Sequence, residues 1–208
     1  MRTILLLVFT LSFMSANAQL SDDGYKKINQ FRWNPQKTKA EIWEDAVNST
    51  GFRQIECSFR VTANKDYEKV AHVGLSAFSV KDSTEFHLNF IITKEYKVSV
   101  REGSPVLIKF GDDSRLNLTV HHERNDYIGT TMNALGKYIT TYDVVFSCIV
   151  APADIERMKL GMKKIRVELN NNVYDIDLTK DNLSAFLVEE YNLINEALGT
   201  VRNFDDDF

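Results

Sequence analysis

Clusters of Lys and Arg are missing from this 208-residue chain, whose 25 basic side chains are outnumbered by 29 acidic ones for a net charge of −4. Phosphate binding needs concentrated positive charge, so nucleic acid is excluded as a partner and docking on anionic lipid is disfavoured. Proline and glycine are scarce, at three and nine residues. No stretch rich in Pro, Gly or Ser marks a linker and no internal repeat is visible, which leaves one domain as the simplest organisation. Only two cysteines are present, Cys57 and Cys148. An oxidising compartment would allow one disulfide between them, while their places on apolar strand faces suit free thiols acting as small hydrophobes. Both states stay open, and nothing nearby in sequence activates either thiol.

Long apolar runs are also lacking, except at the start. Arg2 supplies a positive charge, residues 4–14 are almost continuously apolar, and Ser15-Ala16-Asn17-Ala18 ends in a small-x-small pattern. That order predicts a cleavable signal peptide over 1–18, and the run is too short for a membrane span. Position 19 is Gln where a lipoprotein would need Cys, so the expected address is the periplasm or the secreted fraction, without a lipid anchor.

From there the chain reads as hairpins. Residues 19–51 are expected to form an N-terminal segment with a short helix, begun by Asn34-Pro35, carrying Ile42, Trp43, Ala46 and Val47 and stopping near Gly51. From Phe52 the period changes to two, with Ile55, Cys57, Phe59 and Val61 on one face. Val73, Leu75 and Ala77 pair with Ile92, Phe90 and Leu88 if the chain folds about Asp82-Ser83. Val106, Ile108 and Phe110 match Leu116, Leu118 and Val120 across an odd-length loop at Asp112-Asp113. Residues 121–136 read as a polar surface loop, and 138–150 as a long strand. Ile165, Val167 and Leu169 pair with Leu178, Ile176 and Tyr174 around Asn171-Asn172, since Asn tolerates the positive φ of a tight turn. Residues 152–160 suggest a short helix ending at Gly161. Leu183, Phe186, Leu187, Tyr191, Ile194 and Leu198 recur at helical spacing, with Asp181 as a cap. The fold class is therefore α+β: an antiparallel β-sheet or β-sandwich built from hairpins, with a short helix and a C-terminal amphipathic helix packed on it. The domain spans 52–200, and 201–208 is an acidic tail.

Chemistry-bearing motifs are few. His121-His122-Glu123 with Asp126 is the one group of metal-type residues, but adjacent strand histidines are expected to point apart, so no metal site is assigned. His72 and His87 share a polar face yet lie roughly 20 Å apart at the strand rise. Gly74-Leu75-Ser76-Ala77 lies in mid-strand, where a nucleophile elbow cannot form. Neither a catalytic group nor a cofactor site emerges. Trp33 and Trp43 are the candidate ligand contacts, because flat aromatic faces suit sugar stacking as well as they suit packing.

Ala151-Pro152 leading into a short helix, then residues 161–169, a turn, and a closing helix with Phe186-Leu187 and Glu190-Tyr191, resembles a pattern in uncharacterised exported proteins of gut Bacteroidetes. The resemblance covers the C-terminal third. It implies a Gram-negative envelope address and lends no functional residues; the missing lipid-attachment Cys departs from many such proteins. The expected function is an exported non-catalytic binding module for a protein or envelope component. A carbohydrate-binding accessory domain, or a hydrolase whose site is scattered through the sequence, is the alternative.

Overall fold

The computed structural model describes residues 39–63, 70–81, 83–132, 137–170, 172–178 and 182–200. Eleven strands are present among them: β1 (Ile42–Val47), β2 (Phe52–Cys57), β3 (Arg60–Ala63), β4 (Val70–Val80), β5 (Ser83–Lys94), β6 (Pro105–Phe110), β7 (Arg115–Thr119), β8 (His122–Met132), β9 (Tyr138–Val150), β10 (Met162–Leu169) and β11 (Asn172–Asp177). The helices are α1 (Pro152–Arg157), followed by a 3-10 turn (Met158–Leu160), and α2 (Leu183–Leu198). The strands form two antiparallel sheets. The larger has the order β1-β2-β4-β5-β9-β8, with β3 also paired to β4; the smaller runs β11-β10-β6-β7.

One face of each sheet feeds a shared core. Leu75, Leu88, Phe90, Val144 and Phe146 of the large sheet join Ile108, Phe110, Ile165 and Val167 of the small one, together with Ile155 of α1 and Leu187 and Ile194 of α2. This is what the alternating apolar pattern dictates, since period two puts every second residue on the same face. The amphipathic stripe of α2 lies on β4, with further contacts to β1, β2 and β3.

Several local expectations change. Ile42–Val47 is strand β1, not part of a helix, and pairs with β2. The spacing of Ile42, Trp43, Ala46 and Val47 satisfies either period over so few residues, and the open edge of β2 decides between them. Asp45 then fixes the pairing: Arg53 donates from Nε and Nη2 to its two carboxylate oxygens, at 2.8 Å each, and from Nη1 to the Thr200 carbonyl beyond α2 at 2.8 Å. Asn34-Pro35, Asp181 and the acidic tail lie outside the described residues.

The expected loop over 121–136 is corrected too: His122–Met132 is edge strand β8, and residues 133–136 lie outside the described residues. Its register on β9 shifts between Arg124 and Tyr127. There the Asn125 side chain accepts from the Val100 amide at 3.0 Å and donates to the Val100 carbonyl at 3.1 Å, standing in for backbone.

Two hairpins keep their expected faces but differ in register by two residues. Val73 lies opposite Phe90 and Ala77 opposite Phe86, because the chain turns after Val80 and resumes at Ser83, with Lys81 at φ +54°. Ile165 likewise faces Ile176, and the ladder closes with Leu169 opposite Asn172; Asn171 of the expected turn lies outside the described residues. The hairpin at Asp112-Asp113 has the expected odd loop, with Asp113 at φ +67°. Gly111 in that loop is obligatory: a Cβ would sit 2.3 Å from the Leu160 carbonyl oxygen of the 3-10 turn.

Candidate functional site

The face of the large sheet turned away from the shared core is unusually polar and mostly closed. Register places Glu56, Ser76, His87 and Ile149 in one row across β2, β4, β5 and β9. The next row holds Asn89, Ser147 and His122. Glu56, Ser76, His87 and Ser147 are all buried, as is Asp143 further along β9. Buried polar groups need partners, and here they serve one another. Asn89 Nδ2 donates to Ser76 Oγ at 2.9 Å, Gln54 Nε2 to Glu56 Oε1 at 2.7 Å, and Thr93 Oγ1 to Asp143 Oδ1 at 2.7 Å.

His87 is the centre of this face. Its Nε2 lies 2.6 Å from Glu85 Oε1 and its Nδ1 lies 3.4 Å from Ser147 Oγ. Phe78 meets the ring edge-on with centroids 4.9 Å apart. His121 follows at 5.9 Å and His122 lies 4.3 Å beyond His121. The hydrogen bond from His87 holds the Glu85 carboxyl below its ordinary range; burial opposes this, and charge on the three imidazoles reinforces it. An ionised Glu85 can only accept, so Nε2 carries the ring proton.

The expectation that His121 and His122 point apart fails. Alternation holds inside a strand, and His121 precedes the first residue of β8, so its ring is free of that constraint. Even so, among the described residues no three His, Cys, Asp or Glu side chains are placed to hold a metal ion. The side chain of Asp126 lies outside the described residues. His72 and His87 stand four ladder positions apart, a consequence of the two-residue register difference.

Serine, imidazole and carboxylate thus occur in the order used by acyl-transfer enzymes. The geometry is unsuited to that use. Ser147 is 2% exposed, so a carbonyl carbon has no approach to its oxygen, and its contact with the imidazole is long. What this face can do is hold a proton between Glu85 and His87.

The candidate aromatics separate. Trp33 lies outside the described residues. Trp43 is half-buried, packs against the buried pair Phe59 and Ile91, and donates from Nε1 to Glu41 Oε1 at 2.8 Å. Its ring meets Phe59 at 6.0 Å and 35°, so part of the surface a sugar would need is occupied.

Cys57 and Cys148 are not bridged; both are free and buried. They sit on β2 and β9, three strand spacings apart in the large sheet, or about 14 Å, twice the reach of a disulfide. Burial pushes the Cys148 thiol up to about 12. Burial, then the nearby Glu190 and Glu56 carboxyls, pushes Cys57 higher still. Neither is a nucleophile at neutral pH.

A second polar site lies on the core side and was missed in the sequence. Glu190 of α2 is completely buried. Its Oε2 accepts from the Leu75 amide at 2.9 Å, and its Oε1 lies 3.2 Å from Ser58 Oγ. Desolvation raises its carboxyl well above the usual range, outweighing these two contacts. The signal was available: Phe186, Glu190 and Ile194 are four apart, so a carboxyl stands on the apolar stripe.

No helix among the described residues is long and apolar enough to cross a membrane. No family model, curated protein or solved structure matches the chain.

Proposed function

We propose that this chain is an exported, non-catalytic binding module of the periplasm or the secreted fraction, that its two sheets form a β-sandwich, and that it takes a protein or envelope component as an added strand along β11. The N-terminal pattern and the C-terminal resemblance to exported proteins support the address. The polar face around His87, closed to substrate, supports the non-catalytic reading.

The β11 edge carries the rest. Leu178 donates its amide to the Lys163 carbonyl at 2.9 Å, opposite in the same register. Antiparallel ladders alternate between bonded and non-bonded pairs. Val173, Asp175 and Asp177 therefore turn their backbone groups away from β10, and the Val173 amide donates to the Asn172 side chain at 2.8 Å. The other edges are blunted. β1 and β8 each contain a register shift, and β7 is only five residues long. β11 runs in unbroken register, contains neither Pro nor Lys, and exposes half of Val173. Such an edge is a template for strand addition.

The test is fluorescence anisotropy with short labelled peptides of alternating Val and Lys, whose charge suits a chain of net charge −4. Val173→Pro removes an outward amide and no β10 bond, so it is expected to abolish binding while changing the melting temperature little. Equal binding by this variant would overturn β11 as the site. A rise in melting temperature with a glycan, unchanged by the variant, would replace the protein partner with a carbohydrate.

A further inference from the structure

We propose that Glu190 is carried as a neutral carboxylic acid whose proton, donated to Ser58, clasps the last helix and the lead-in to the first strand onto the middle of the large sheet.

The site exists because the sheet has a fault. β2 pairs with β4 up to Glu56 opposite Ser76, and β3 resumes with Arg60 opposite Val73. Four steps on one side match three on the other, so one extra residue bulges between them. Gly74 accommodates the bulge: a Cβ there would lie 2.4 Å from the Ser58 carbonyl oxygen and 3.3 Å from the Phe59 ring. The neighbouring Leu75 amide turns instead to a carboxyl oxygen from α2.

Counting protons at Ser58 decides the state of that carboxyl. Ser58 Oγ lies 2.7 Å from the Lys39 carbonyl oxygen, which can only accept, so the single hydroxyl proton goes there. The Glu41 amide donates to the same Oγ at 3.2 Å. Glu190 Oε1, 3.2 Å away, meets an oxygen whose proton is already committed. Facing lone pairs on the two oxygens would repel, a proton between them turns that contact into a hydrogen bond, and the carboxylic O–H is the one available. Oε1 then donates to Ser58, and Oε2 stays a carbonyl oxygen accepting from Leu75.

The surroundings agree. Glu189 on the same helix adds charge of the same sign and favours the neutral form. From β2 comes the Cys57 thiol, 4.0 Å from the backbone carbonyl oxygen of Glu190, and Arg53, which is committed to Asp45 of β1. From β3, the Arg60 guanidinium lies over the Phe186 ring, 5.9 Å from its centroid. β4 offers the Leu75 amide alone. The residues bonded to the carboxyl are therefore uncharged, and ionisation would leave a buried anion without a counter-ion.

The sign of the pH dependence follows. A folded-state value raised above the ordinary carboxyl range of about 4.3 gives stability that is complete below that value and declines as pH rises towards the folded one. Over that window each pH unit lowers the folding constant tenfold, a fall in melting temperature of roughly 3–5 °C. Glu190→Gln keeps the shape, accepts from Leu75 and donates to Ser58 without titrating. Melting curves of the full chain and of E190Q from pH 5 to 8 should diverge, with wild type losing ground by that amount per unit. The infrared carbonyl band of a protonated carboxyl should persist at neutral pH in wild type and vanish in E190Q. Parallel melting profiles, or no such band in wild type, would overturn the proposal. Should E190Q fail to fold, the wild-type band alone still decides, since exposed carboxyls are all ionised at neutral pH.

Discussion

Glu85 and Glu190 approach the large sheet from opposite faces and meet opposite treatment. Glu85 is half-buried beside three imidazoles, and His87 donates to it, so its carboxyl titrates below the usual range. Glu190 is fully buried with an amide and a hydroxyl, and its carboxyl titrates far above that range. Both make two or fewer close hydrogen bonds, so the number of bonds does not explain the difference. A donor able to carry charge, with solvent on one side, favours the anion; neutral donors in a dry core do not. One carboxyl is held in place by its charge, the other by its proton.

The comparison can be broken most sharply at Gly74. Gly74→Ala drives a methyl group into the Ser58 carbonyl and opens the notch that Glu190 fills. It should cost about 2–3 kcal/mol in a urea melt while leaving the Glu85–His87 pair untouched. A milder change sharpens the other side. Glu85→Gln removes the anion that His87 serves and should cost about 1 kcal/mol at pH 7. Because the Glu85 value is depressed, its contribution is present above the ordinary carboxyl value and is lost as pH falls through the folded one. The wild-type advantage over the variant should therefore vanish in acid, whereas the Glu190→Gln gap opens in the alkaline direction. The smallest effect belongs to a carboxyl at the surface. Asp175 is held at about 2, first by its hydrogen bond from Arg166 and then by Lys164. Solvent screens that pair, so Asp175→Asn should cost less than about 1 kcal/mol, and less again in high salt.

The faces of all three hairpins were legible in the sequence, while the registers of two of them were not, for one reason. Period-two alternation says which residues share a face, and a slip of two preserves that property. Val73 can thus lie opposite Phe90 or Ile92 with the core equally apolar, and where the chain turns, after Val80 in one hairpin and after Leu169 in the other, makes the choice. Strands β1 and β8 were misread because edge strands have one protein neighbour and need no clean alternation. The sequence of β8, HERNDYIGTTM, is polar almost throughout. The imidazole group was hidden for a topological reason: His87 and His121 meet only because β9 lies between β5 and β8, a strand order that no local pattern announces. Glu190 was in plain view as a charge on an apolar stripe.

The bond between Leu75 and Glu190 joins residues 115 apart in the chain, and Arg53 reaches 147 residues onward to Thr200. The part of β4 that α2 covers is therefore completed by residues that come last in the described chain. Closure of such distant contacts is slow, since the entropy of bringing the ends together is lost before any contact compensates for it. The Leu75–Glu190 and Arg53–Thr200 contacts cannot form before residues 183–200 are present, so this part of the large sheet reaches its native packing only after the last helix does.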